Sequence, residues 1–330
     1  MKKTVSFLKQ TIALSLTLVA GWIYSLTTVL TLLTTLSSIT YAEEPQNKPY
    51  YLPDIENKRS QLLLEHMRML NRENEVVMLD AEESFYGLFL AEETGNPQGA
   101  VLILPDIQQH GHWPKMIAPL REYLPRFGWA TLSIELPYPP AKVRISRDQA
   151  EPEETSKETT EETTQETTQE TTEKTTPAST DAIAAYQQQM RAHINAAINY
   201  LKSRNQLNLV IVGYGASASW AIDYAHQQTG KGLTLITIDA LNNAWAPENI
   251  QQQIEKIQVP YLDLIHPDQQ LVQRLARQRL KIMRTSGNNQ YQQITTANIA
   301  NYKSPENSTT RRIRGWLMTN AGGKKINLAR

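Results

Sequence analysis

Val212-Gly213-Tyr214-Gly215-Ala216-Ser217 lies between an apolar strand, predicted over Leu207–Val212, and a helix predicted over Ser217–Gln228. A chain that passes from strand to helix in so few residues forces one of them into a strained backbone conformation, which glycine adopts without a Cβ penalty. With Val212 closing the strand, the register is Gly213-x-Gly215-x-Ser217 and Gly215 falls at the apex. The apex therefore carries no side chain. Ser217 then reads as a helix cap, or as a small residue that lets the helix approach the sheet.

On both sides of this turn, strand-like and helix-like segments alternate. Upstream, a helix is predicted over Asn57–Leu70 and strands over Val76–Leu79, Phe85–Leu90 and Ala100–Leu104. An amphipathic helix follows over Trp113–Phe127, then Gly128 and a strand over Trp129–Ile134. Downstream, helices over Asp181–Ser203 (capped by Asp181), Ile250–Ile257, Leu271–Arg284 and Thr309–Met318 alternate with strands over Leu233–Ile238, Pro260–Ile265 and Tyr291–Thr296. Such alternation predicts a mostly parallel sheet covered by helices on both faces. No glycine-rich phosphate loop follows any of these strands, so a nucleotide cofactor has no support.

Two regions stand apart. Lys2, Lys3 and Lys9 precede a stretch from Gln10 to Ala42 without a charged residue, ending in Thr40-Tyr41-Ala42. This reads as an export signal, or as an anchor through residues 11–39, and it places the chain in or facing a periplasm. Residues 1–42 are set apart on this basis, 43–56 as a linker, 57–318 as one domain and 319–330 as a tail. The second region, Glu151–Thr176, is almost wholly Glu, Thr, Gln and Lys, with near-repeats such as Glu-Glu-Thr-Thr-Gln-Glu-Thr-Thr. It has no large apolar side chain to offset its ordering entropy, so about 139–180 is expected to be a disordered insert within the domain.

Composition narrows the chemistry. The 330 residues contain no cysteine, which excludes disulfides, thiolate metal sites and cysteine nucleophiles. Lys and Arg total 33, as do Asp and Glu, so no electrostatic case exists for nucleic acid. No metal or other cofactor is expected.

The strand pair at the start, Leu104-Pro105-Asp106 closing a buried strand, and the strand-Gly213-Tyr214-Gly215-Ala216-Ser217-helix unit together resemble the α/β-hydrolase superfamily. More narrowly, His112-Trp113-Pro114, Ala118-Pro119-Leu120-Arg121, Gly128-Trp129-Ala130-Thr131-Leu132-Ser133, Leu136-Pro137 and Arg314-Gly315-Trp316-Leu317 resemble an uncharacterised family of exported Gram-negative bacterial proteins with an α/β-hydrolase-like domain. The likeness runs from Glu56 to Met318, interrupted by the insert.

The resemblance implies a G-x-S-x-G nucleophile turn, an oxyanion hole fed by the loop after Leu104, an acid after a late strand and a histidine after the last one. Gly215 replaces the serine, and no histidine follows His266. Asp106 and Ile107 are the oxyanion-loop candidates. Asp239, Asp263 and Asp268 fall where an acid would be. A shifted register, Gly215-Ala216-Ser217-Ala218-Ser219, would make Ser217 the nucleophile, with His110 or His112 as a substitute base. Asp106, His110 and His112 also offer metal-ligand atoms, without a defined partner set. Three functions remain in competition. One is a non-catalytic fold that binds a ligand or protein near Gly215 or serves in the envelope, another is a relocated serine esterase, and the third is a docking role for the insert.

Overall fold

The computed structural model describes residues 55–140, 143–144, 175–176, 180–228, 232–297 and 304–321. The expectations for the N-terminal segment, the interior of the insert and the C-terminal tail lie outside these residues. Among the described residues no helix is long and apolar enough to cross a membrane.

The strands of the main sheet are β1 (Val76–Leu79), β2 (Phe85–Leu90), β3 (Gly99–Leu104), β4 (Trp129–Ile134), β5 (Leu209–Tyr214), β6 (Leu233–Ile238), β7 (Tyr261–Ile265) and β8 (Tyr291–Thr295). Their spatial order is β1-β2-β4-β3-β5-β6-β7-β8. β2 is antiparallel to both β1 and β4, and every pairing from β4 to β8 is parallel. This is the mostly parallel sheet expected from the alternation of elements, with the strand pair at the start of the domain on its antiparallel side.

Side chains alternate across each strand, so each strand feeds two cores. Leu102, Leu104, Ile211 and Leu235 face α3 (Thr180–Ser203), α4 (Ala218–His226) and α5 (Ile250–Gln253), through Met190, Ile194, Trp220 and Ile250. Val101, Ile103, Val212 and Ile236 face α2 (Ile117–Tyr123) and α7 (Ser308–Asn320), through Leu120, Ile313 and Leu317. Each such buried aliphatic side chain contributes roughly 1.5–3 kcal/mol. Beyond these, α1 (Ile55–Met69) buries Leu63 and Met67 against Leu88, and α6 (Gln270–Thr285) buries Val272 and Ala276 beside Ile265.

Three differences from the sequence reading have a plain physical cause. β5 begins and ends two residues late, because pairing with both neighbours fixes it: Leu104 faces Gly213 and Tyr214 faces Ile238, while Leu207 is left exposed. The helix expected from Trp113 starts at Ile117, since Asp106 and His110 carbonyls bind the amides of Gln109 and Trp113 and hold that stretch as turns. Its end agrees: a short 3-10 segment, Leu124–Phe127, stops at Gly128 with φ +85°. Asp181 lies inside the first turn of α3 and does not cap it, although a carboxylate there still favours the positive helix end. At the base of the insert, Val143–Arg144 pairs antiparallel with Thr175–Thr176.

Candidate functional site

The turn after β5 keeps its glycine geometry. Gly215 has φ +62° and opens a 3-10 turn, Gly215–Ser217, that leads into α4. At Gly213 a Cβ would lie 2.6 Å from Ala218 Cα, so glycine is what permits α4 to pack this closely on the strand.

At Gly215 the obstruction is chemical. A Cβ there would lie 2.6 Å from both Cγ and Oδ2 of Asp106. The Asp106 carboxylate, reaching across from the end of β3, thus fills the space above the apex where a nucleophile's side chain would stand. Its Oδ1 accepts hydrogen bonds from the amides of Ile107 and Ala216, each at 3.0 Å. One amide from the loop after β3 and one from the residue after the apex are the donors of an oxyanion hole in this kind of turn. Here the protein's own carboxylate takes both amides. Of the two oxyanion-loop candidates, Ile107 supplies one of these amides and Asp106 supplies the carboxylate.

Ser217 is 0% exposed. Its hydroxyl accepts from the Tyr214 amide at 3.1 Å and shares its proton between the carbonyls of Leu104 and Tyr214, both at 2.8 Å. It ties the ends of β3 and β5 together and does not meet a histidine, so the shifted register is not realised.

His110 and His112 belong to a different network, between α1 and α2. His112 Nδ1 accepts from Arg121 at 2.9 Å, and Arg121 in turn pairs with Glu75. The His112 amide donates to His110 Nδ1 at 3.1 Å, and the His66 ring lies 5.5 Å from that of His112. Burial, reinforced by the charge of Arg121, pushes the His112 pKa down to about 3. Burial also lowers that of His110 to about 4. Both rings are neutral structural partners. Among the described residues no group of three or more His, Asp or Glu side chains is arranged to hold a metal ion.

The acids divide. Asp268 is exposed on the turn after β7. Asp263 is buried in a bidentate pair with Arg279 of α6, at 2.9 and 3.1 Å, and also accepts from Thr237, Tyr291 and Gln293. Asp239, with φ +49° directly after β6, binds His266, directly after β7. Its Oδ1 takes the His266 amide at 2.8 Å and its Oδ2 lies 2.7 Å from Nδ1. His266 Nε2 then faces the Thr309 hydroxyl of α7 at 3.0 Å. Acid, imidazole and hydroxyl stand in relay order, but Asp239 and His266 are 5% and 6% exposed and Thr309 is 0%. The relay locks α7 onto the strand ends.

His266 and Thr309 were not expected from sequence. The signal was there: Asp239 and His266 each follow a strand directly, and Ile238 pairs with Leu264, so the two strand ends are neighbours.

Two clefts, of ≈ 550 and ≈ 330 Å³, open at the same edge between the start of β2, the loop after β4 and the first half of α3. Both are lined by Glu83, Gln189 and His193, and neither by Gly215. A third hollow, of ≈ 510 Å³, lies along β8 and α7 beside Arg311, Arg312 and Trp316.

A family model described as "Protein of unknown function (DUF3530)" matches residues 23–319, and the chain belongs to that family. Several solved structures are similar to the chain. The esterase domain of a Rhodothermus marinus protein is 9% identical, with 75% of this chain and 99% of that one covered at a TM-score of 0.47. A dienelactone hydrolase from Anabaena variabilis is 11% identical, with 74% and 97% covered at 0.49. An alpha-beta serine hydrolase homologue from Coxiella burnetii is 11% identical, with 75% and 97% covered at 0.44. No functionally curated protein is similar in sequence.

Proposed function

We propose that this member of the family is a non-catalytic α/β-hydrolase-fold protein that works by binding at the carboxyl edge of its sheet. The observation that carries the reading is the Asp106 carboxylate, held by the amides of Ile107 and Ala216 above Gly215. Acyl transfer needs that hole empty, to receive the developing oxyanion, and needs a nucleophile beside it. Here both places are taken by one anion, which would repel a second. The only hydroxyl of the turn from Gly213 to Ser217 that a shifted motif offers, Ser217, is committed to backbone groups.

The uncharged stretch behind Lys2, Lys3 and Lys9 supports export, with the domain on the far side of a membrane either released or anchored. A phosphatase fused after the domain would then be active only outside the cytoplasm.

A fluorophosphonate and a panel of p-nitrophenyl esters test the central point on the purified chain. Neither labelling nor turnover above buffer is expected. Labelling that Ser217→Ala abolishes would replace this reading with that of a serine esterase.

A further inference from the structure

We infer that the joined clefts beside α3 bind an organic cation, an ammonium or guanidinium group on a short aliphatic or peptide tail. This rests on the binding reading above for the site's purpose, and on its own residues for its location and chemistry.

His193 of α3 is the centre. It is 4% exposed and lines both clefts. Its ring stacks on Phe85 with centroids 3.7 Å apart and planes 9° apart. Nδ1 donates to the Glu135 carbonyl at 3.1 Å, which fixes the tautomer and leaves Nε2 as a lone-pair acceptor with no partner among the described residues. Burial pushes the pKa of this imidazole down to about 4, opposed by the Glu135 carbonyl and aided by Arg59, so the lone pair persists at neutral pH. A buried ring held by the Phe85 stack and the Glu135 carbonyl, with one acceptor remaining, calls for a ligand that donates.

The walls of the larger cleft carry charge of one sign. Glu83 lines both clefts, is exposed and has no ion pair among the described residues. Glu82 lines the larger cleft and, among the described residues, accepts only from the neutral Gln188 amide, at 2.8 Å. Tyr138 and Tyr186 supply ring surface to the same cleft, and aromatic faces attract cations. Arg59, on the wall of the smaller cleft, is turned inward: its nitrogens donate to the carbonyls of Ile107 and Leu136, and its guanidinium lies 4.6 Å from the Tyr138 ring. The cation therefore belongs in the larger cleft, between Glu82, Glu83 and His193. At ≈ 550 Å³ that cleft is within the usual range for small-ligand sites, roughly 300–1,000 Å³.

Calorimetric titration of the full-length chain tests this with agmatine as a free cation, acetyl-Ala-Arg-Ala-amide as a peptide-borne one and N-butylacetamide as a neutral control. Saturable binding of either cation, and none of the control, is expected. Glu83→Gln is expected to weaken it about tenfold, the loss of one charge-assisted contact, and Glu83→Lys to abolish it. Glu83 is on the surface, so both variants retain the fold. His193→Phe keeps the stack on Phe85, removes the acceptor and should also weaken binding. If only the peptide binds, the cation comes from a polypeptide and the chemistry stands. If neither cation binds better than the control, or if Glu83→Lys binds as well as wild type, the site is refuted. Neither result changes the fluorophosphonate outcome, so the two readings fail separately.

Discussion

Gly215→Ala tests the occupied hole most directly. The new methyl would lie 2.6 Å from Asp106 Cγ and Oδ2, a separation that no carbon contact tolerates. The carboxylate must then leave the amides of Ile107 and Ala216. Left-handed backbone costs a residue with a Cβ about 1–2 kcal/mol. Two hydrogen bonds to a charged acceptor contribute about 1.5–3 kcal/mol each, part of which water restores to a half-exposed carboxylate. The total is roughly 3–6 kcal/mol, a large share of a typical domain's ~5–15 kcal/mol. Asp106→Ala removes the obstruction in advance, so Gly215→Ala in that background should cost only the backbone strain, about 1–2 kcal/mol. The assay is a double-mutant cycle by urea unfolding, with a coupling of at least ~2 kcal/mol expected. Additive costs, or a Gly215→Ala penalty no greater than the strain alone, would refute the placement of Asp106 and with it the main support for a non-catalytic protein.

Three further outcomes follow from the geometry. Ser217→Ala should destabilise the fold by about 1–3 kcal/mol, because the Tyr214 amide and the Leu104 carbonyl lose a buried partner, and should leave fluorophosphonate reactivity at baseline. Arg279→Leu strands the Asp263 carboxylate in the core and should cost about 3–5 kcal/mol in thermal unfolding, more than replacing both partners with apolar residues. Stability should fall on acidification: His110, His112 and His193 are held neutral, with pKa values pushed by burial down to about 4, 3 and 4. Unfolded histidine titrates near ~6.5, so below that pH the unfolded chain binds more protons and each ring removes up to ~1.4 kcal/mol per pH unit until its folded pKa is reached. Urea midpoints at pH 7.5, 6 and 5 measure the slope, which His193→Phe should reduce.

The elements were legible because their signals are local. The buried run at Leu102–Leu104, the stop at Gly128 and the apex glycine at 215 each announce themselves within a few residues. The site was less so, because its decisive contacts are not local. Asp106 and Ala216 are far apart in the chain and meet only because β3 and β5 are parallel neighbours. Asp239 and His266 meet across β6 and β7 by the same geometry. The histidine that meets Asp239 follows the strand before the last, where the spacing of the usual motif does not point. Spacing also left Ser217 ambiguous, since a motif match says nothing about whether a hydroxyl faces a cleft or its own backbone.

The small pair that joins Val143–Arg144 to Thr175–Thr176 has a consequence for the Glu/Thr tract it encloses. Closing a loop costs entropy that grows only with the logarithm of its length, about 0.6 kcal/mol for each doubling. With its ends joined by that pair, the tract over residues 145–174 can gain or lose repeats such as Glu-Thr-Thr at little cost in closure entropy. Tract length is thus nearly free to drift in thermodynamic terms, and what each added Glu-Thr-Thr changes is the charge that the chain carries.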